Sequence, residues 1–276
     1  MLALDQVTVT YPTGLTALAD ASLAFEPGAF TVLLGSSGAG KSTLLNCLNG
    51  IVRPTRGRVL GLDGAQIFAS RRGLRRHRLE TGKIFQQHHL IGRLSALANV
   101  LTGRLGFHPS WRTPFPLPKA DRIAALEALD RVGLLDRALD RADSLSGGQQ
   151  QRVGIARALA QRPRIILADE PVASLDPASA EAVLSLLHEI CREDGITAVV
   201  SLHQVGFARR FADRTFGLCA GRVVFEGDAQ ALTESELERI YRSGAPTARP
   251  RSDRKSHLEG RPAAEAAAAQ RRRAVA

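Results

Sequence analysis

Cysteine is scarce in this chain of 276 residues. The three thiols, Cys47, Cys191 and Cys219, are odd in number, far apart and never in CxxC spacing. A disulfide framework and a cysteine-built metal site are therefore not expected, and a reducing cytosol fits. Long apolar runs are missing too: none approaches the roughly 18 to 20 residues that span a bilayer. The start, MLALDQVTVTY, lacks a basic segment followed by an apolar one, so no signal peptide is expected. No internal repeat, long heptad segment or zinc spacing is present. What remains, 44% hydrophobic and 23% charged residues, is ordinary for a globular protein of one large domain or two modest ones.

Acidic residues are outnumbered, leaving a formal charge of +10. Such a balance invites a nucleic-acid reading. Its distribution weakens that reading. Between Ala245 and Ala276 eight Lys or Arg face three Asp or Glu, half of the whole excess, in a Pro/Ala/Arg-rich stretch with almost nothing to bury. Residues 244–276 are expected to be a disordered basic tail, either a solvated extension or a weak attractor of anionic lipid or RNA. Residues 1–243 are expected to carry the folded domain.

Within that domain, Leu2 to Tyr11 alternates as a half-buried strand does. Leu23 to Phe25 and Arg58 to Leu62 read as further short strands of an N-terminal antiparallel sheet. Phe30 to Leu34, Ile165 to Ala168 and Thr197 to Ser201 are short, continuous apolar runs, the pattern of strands buried on both faces. Val183, Leu186, Leu187 and Ile190 repeat at helical spacing between the last two, which implies parallel strands with helical crossovers. Residues 89–162 read as mostly helical, with Ile123, Leu126, Leu129 and Val132 at three-residue steps and a Pro-rich break at Pro109 to Pro118. The expected fold class is α/β: a phosphate-loop core with a parallel sheet, an N-terminal antiparallel β-subdomain and this inserted helical subdomain. A hairpin is expected across Ala220-Gly221.

Three motifs carry chemistry. GSSGAGKS, Gly35 to Ser42, fits GxxxxGK[ST] and lies between a buried strand and a helical run through Leu44, Leu45 and Leu48. Gly35, Gly38 and Gly40 let the backbone bend so that its N–H groups face phosphate oxygens, aided by the positive end of the following helix. Gly35, Ser36, Ser37, Gly38, Ala39, Gly40, Lys41, Ser42 and Thr43 are thus the expected phosphate cradle, with Lys41 neutralising phosphate charge and Ser42 holding Mg2+. The second motif is a buried strand ending in Asp169-Glu170-Pro171. Asp169 suits the Mg2+ shell, and Glu170 suits a general base that orients water for in-line attack on a γ-phosphate. Taken alone, the two acids could instead cap a helix starting near Pro171. The third is LSGGQQQ, whose Ser146, Gly147, Gly148 and Gln149 open a helical run. A Ser-Gly-Gly turn at a helix start is a second anion site.

These motifs, in this order, resemble the ATP-binding-cassette ATPases across roughly residues 2 to 242. The resemblance implies ATP and Mg2+ as the bound species. It implies a head-to-tail dimer of two copies, each ATP lying between one phosphate loop and the partner's SGGQ. It casts Tyr11 as the aromatic that stacks on adenine, although a strand-end core aromatic is the alternative. Gln86 matches the glutamine that touches Mg2+ and couples to a membrane partner, with Gln87 beside it as an alternative register. Ser174, Leu175 and Asp176 match the loop that contacts the other subunit. His203, just past the strand TAVVS, matches the histidine that senses the γ-phosphate.

IFQQHHLIGRLSALANVLTGRLG, ADEPVASLDP and LHQV, with Gln204 after the histidine, are most similar to the ATPase of phosphonate importers. That implies two transmembrane permease subunits, an extracytoplasmic phosphonate-binding protein, and a peripheral place on the cytoplasmic face of the membrane. Phosphite, phosphate esters or polar amino acids are alternative cargoes. A nucleic-acid-associated cassette is disfavoured by the single cassette, and no specific nucleic-acid partner is expected. A non-catalytic nucleotide switch is disfavoured by Glu170 and His203. The run Arg71, Arg72, Arg75, Arg76 and Arg78 reads as a solvated helix face or as a contact with the anionic leaflet.

Overall fold

The computed structural model describes residues 1–86, 89–109, 111 and 116–241. The basic tail lies outside the described residues, as do Gln87 and half of the Pro-rich break. No helix among the described residues is long and apolar enough to cross a membrane.

Strands β1 (Leu2–Thr10), β2 (Thr16–Phe25) and β4 (Arg56–Leu60) form an antiparallel sheet in the order β2-β1-β4. β2 is longer than the expected Leu23–Phe25, and β4 begins two residues earlier than expected. The alternation in β1 is not continuous. Leu2 and Leu4 face the core, then Val7 and Val9 do. The phase changes at a bulge, where pairing slips and Gln6 takes a left-handed φ of 49°. One extra residue is what returns the valines to the buried face.

The second sheet has six strands in the order β5-β6-β7-β3-β8-β9. These are β3 (Phe30–Leu34), β5 (Thr81–Ile84), β6 (Ile165–Asp169), β7 (Thr197–Ser201), β8 (Arg214–Cys219) and β9 (Arg222–Gly227). β5, β6, β7, β3 and β8 run parallel, and β9 returns antiparallel from β8 through Ala220-Gly221. The apolar runs divide by parity. Phe30, Val32, Leu34, Ile166, Ala168, Ala198 and Val200 join one core. Leu33, Ile165, Leu167 and Val199 join the other. Both faces are therefore dry, as continuous apolar strands require. Helix α1 (Lys41–Leu48) and the antiparallel sheet cover one face; α6 (Pro177–Glu193), α7 (Val205–Phe211) and the helical insert cover the other.

The basic run forms α2 (Arg71–Leu79), capped by Ser70, whose side chain accepts from the Gly73 N–H. Its five arginines are exposed, but Arg75 donates to the Gly106 carbonyl, Arg76 pairs with Glu80, and Arg78 donates to the Gly50 carbonyl. α6 starts at Pro177 under an Asp176 cap, so the acids at 169 and 170 do not cap a helix at Pro171.

The insert holds α3 (Ala96–Leu101), α4 (Lys119–Arg131) and α5 (Gly147–Leu159). Of the apolar steps expected along α4, Leu129 and Val132 are buried and Leu126 packs on the same core. Ile123 is 44% exposed, and the buried face is Ala124, Ala125, Ala128 and Leu129. Small alanines let α4 approach α3 and α5 closely, a contact that hydrophobic spacing alone does not reveal. Asp121 at the start of α4 is buried, its side chain only 6% exposed. It accepts from Arg104 Nε at 2.7 Å and pairs with His108 Nε2 at 2.7 Å. Arg104 also donates to the Ala160 carbonyl at the end of α5. Burial alone would raise this carboxyl. The Arg104 and His108 hydrogen bonds outweigh it and hold the group below its ordinary value of 3.8.

Removing Asp121 leaves the largely buried Arg104 charge without its carboxylate. Asp121→Ala is expected to lower unfolding stability by about 3 kcal/mol at neutral pH. Because the folded carboxyl sits below 3.8, its stabilisation is complete above that value and is lost as pH falls through the lower folded value. Denaturant melts of both proteins should therefore converge on acidification below 3.8.

Candidate active site

β3 ends at Leu34, and the chain turns at once through Gly35 to Gly40 into α1. Two of these glycines are obligatory. A Cβ on Gly35 (φ 154°) would lie 2.5 Å from the Leu218 carbonyl oxygen, and one on Gly40 (φ 108°) would lie 2.6 Å from that of Ala17. Gly40 caps α1 in a left-handed conformation with no side-chain hydrogen bond. The helix start is thus formed by backbone N–H groups without a competing cap, the arrangement that receives a phosphate.

Lys41 is only 4% exposed. Its ammonium folds back over the loop, donating to the Gly35 carbonyl at 2.8 Å and the Ser36 carbonyl at 3.2 Å, 3.7 Å from Glu170 Oε1. Burial draws it below its ordinary 10.5, and the carboxylates of Glu170 and Asp169 pull it part of the way back. Added negative charge at this point would restore the ammonium further.

The acids come from the end of β6. Asp169 Oδ1 accepts from Ser42 Oγ at 3.1 Å and from Ser201 Oγ at 2.9 Å. Glu170 follows in a left-handed conformation, φ 46°, which costs a non-glycine residue roughly 1–3 kcal/mol. Its N–H donates to Ser201 Oγ at 2.9 Å, and its Oε1 lies 2.6 Å from His203 Nε2. The left-handed turn swings the Glu170 carboxylate off the strand line toward Lys41 and His203.

These groups converge on a cavity of about 350 Å3 lined by Tyr11, Ser37 to Thr43, Gln86, Glu170 and His203. Tyr11 is half-buried at its edge, with its hydroxyl 3.3 Å from Thr43 Oγ1. Ser42, Asp169 and the exposed Gln86 offer a hydroxyl, a carboxylate and an amide, a hard oxygen set that fits Mg2+.

Ser146 to Gln149 do not line this cavity. They form a capping box at the start of α5: the Gln149 N–H donates to Ser146 Oγ, and the Ser146 N–H donates to Gln149 Oε1. Gly147 packs toward Leu175, and Gly148 faces Ser179 in the first turn of α6. Asp176, expected as a contact residue, accepts from the Ala178 and Ser179 N–H groups as the cap of α6. The motif residues therefore form two clusters within one chain. Ser201 was not anticipated by motif reasoning. Its signal was a hydroxyl at the C-terminal end of a strand with an apolar middle.

Residues 18–173, more than half of the chain, match the family described as ABC transporter. The chain is 60% identical over 241 residues to Phosphonates import ATP-binding protein PhnC 3 of Nostoc sp., covering 87% of this chain and 92% of that protein. It is 61% identical over 250 residues to Phosphite import ATP-binding protein PxtA of Stutzerimonas stutzeri, covering 91% and 90%. Its fold matches the dimeric bacterial ABC transporter cassette MJ0796 with a TM-score of 0.72 and 37% identity, over 84% of this chain and all of that one. It matches cbiO1 from Clostridium perfringens, part of the ABC transporter complex cbiONQ, with a TM-score of 0.74 and 31% identity, over 86% and 92%.

Ser201 holds both acids at once. Ser201→Ala leaves the Glu170 N–H without its partner at a strained residue and is expected to lower stability by about 1–3 kcal/mol. Nucleotide turnover should fall more than nucleotide affinity, since the loop that receives phosphate is untouched. Isothermal titration beside a steady-state assay measures the two separately.

Proposed function

The chain belongs to the ABC transporter family, and from that membership we propose that it is the ATP-hydrolysing subunit of an importer that energises phosphonate uptake across the cytoplasmic membrane. The observation that carries this reading is the meeting of Lys41, Glu170 and His203 at one cavity beside the Ser42–Asp169 pair.

The backbone N–H groups from Gly35 to Thr43 receive the β- and γ-phosphates, and Lys41 leaves its carbonyl partners to neutralise them. Tyr11 provides a face for adenine. Ser42, Asp169 and Gln86 hold Mg2+, which when bound neutralises charge developing on the phosphate oxygens. Glu170 orients a water in line with the γ-phosphate and accepts its proton. His203, which shares Glu170 Oε1 with Lys41, fixes that carboxylate and contacts the γ-phosphate. Ser146, Gly147, Gly148 and Gln149 act on the nucleotide held by a second copy, packed head to tail, with Ser174, Leu175 and Asp176 at the contact. The separation of the two clusters within one chain supports this two-chain site.

Further partners are two transmembrane permease subunits and an extracytoplasmic phosphonate-binding protein, with this subunit peripheral on the cytoplasmic face of the inner membrane. The permease meets the surface from Gln86 to Asn99. There the buried Asn99 pins a turn by accepting from the Ile91 N–H and donating to the Ile91, Leu94 and Ser95 carbonyls, while Ile91 itself is 45% exposed. Phosphite is the second reading of the cargo, favoured by the 61% identical phosphite import relative.

ATPase turnover of the complex, assembled with permease and binding protein in lipid, tests engine and cargo together. Stimulation by 2-aminoethylphosphonate is expected, with Glu170→Gln lowering turnover by at least about a hundredfold while ATP still binds. Stimulation by phosphite alone would move the assignment to the second reading. A cysteine at Ile91 is expected to crosslink to a permease loop; a crosslink map that avoids Gln86 to Asn99 would refute that docking surface.

A further inference from the structure

The imidazole of His203 is 40% exposed, yet it sits 2.6 Å from Glu170. Its own strand does not hold it there. β7 ends at Ser201, the Leu202 N–H donates to the Leu33 carbonyl, and α7 begins two residues after His203 with no side-chain cap. The anchor comes from much later in the chain. Helix α8 (Glu234–Tyr241) is seated on β8 by Ile240, which is fully buried against Gly217; a Cβ there would lie 2.5 Å from the Ile240 side chain. The next residue, Tyr241, packs its ring on the larger core and donates its hydroxyl to the His203 carbonyl at 2.8 Å. Burial pushes the Tyr241 hydroxyl above its ordinary 10.0, so it stays protonated and remains a donor at working pH.

We propose that Tyr241 is a positioning residue for hydrolysis: by gripping the backbone of His203, α8 sets the imidazole against Glu170. This inference rests on the reading of His203 as a hydrolysis residue. It makes α8, remote in sequence from the nucleotide motifs, part of the active-site scaffold, although Tyr241 lines no part of the nucleotide cavity.

The test is a double-mutant cycle in the assembled complex, using Tyr241→Phe, His203→Ala and both together, with kcat, KM for ATP and Tm read for each. Tyr241→Phe keeps the ring and loses one hydrogen bond. A fall of roughly three- to tenfold in kcat is expected, the rate equivalent of one such bond, with KM and Tm nearly unchanged. In the His203→Ala background the second change should have no further effect. The His203 ring resonances should also shift in Tyr241→Phe. Full kcat in Tyr241→Phe beside an impaired His203→Ala overturns the Tyr241 proposal and leaves the His203 reading standing. Full kcat in His203→Ala removes that reading and this inference with it. Equal losses of kcat in both backgrounds, accompanied by a lower Tm, reduce Tyr241 to a structural residue and overturn the proposal.

Discussion

The chemistry depends on strand register. In the parallel sheet Asp169 of β6 stands opposite Ser201 of β7, and Ser201 stands opposite Leu33 of β3. The three strands therefore finish at one edge, and each delivers its functional residue within a residue or two of its end. β3 passes into the phosphate loop, β6 into the two acids, and β7 into Ser201 and His203. A slip of one residue in β6 would carry Asp169 to the other face of the sheet, away from Ser42 and Ser201, and would exchange the side chains that each core receives. The dry cores above and below the sheet forbid that slip. Apolar packing on two faces thus sets polar geometry at the edge.

Charge is balanced across that edge within the chain itself. Lys41 is buried, an expensive place for an ammonium, and its charge is met by two loop carbonyls and by Glu170. Glu170 is shared between Lys41 and His203, while Asp169 is shared between two serine hydroxyls. Each group is poised by partners it can exchange. Phosphate oxygens offer Lys41 a stronger interaction than the Gly35 and Ser36 carbonyls do. On the proposed reading Lys41 turns toward phosphate while Glu170 keeps His203 as its partner. The left-handed backbone at Glu170 stores strain at the residue whose direction matters most, and Ser201 holds it there.

Much of this was legible locally. The phosphate loop, the acid-ended strand and the Ser-Gly-Gly turn are contiguous patterns whose chemistry follows from a few neighbouring residues. The buried strands announced themselves as unbroken apolar runs. What escaped was non-local. Ser201 is one hydroxyl among many until pairing sets it beside Asp169. Tyr241 is the last residue of a short amphipathic helix until folding brings it to His203. Asp121 reads as a solvated helix-start acid until Arg104 and His108 close over it. The alanines that complete the buried face of α4 escaped because alanine carries a weak hydrophobic signal, whereas Ile123, a stronger one, stays at the surface. The bulge in β1 was hidden because an extra residue preserves the look of alternation while reversing its phase.

The capping box at Ser146 and Gln149 has a consequence for assembly. Each side chain is already committed to the other residue's backbone N–H, so their rotamers are fixed in the single chain. What the turn presents outward is a rigid backbone with two glycines and little side-chain freedom left to lose. A surface of this kind forfeits little entropy when a second molecule closes on it. Its fit is set by shape and by backbone dipoles, and it can be engaged and released repeatedly without being rebuilt each time.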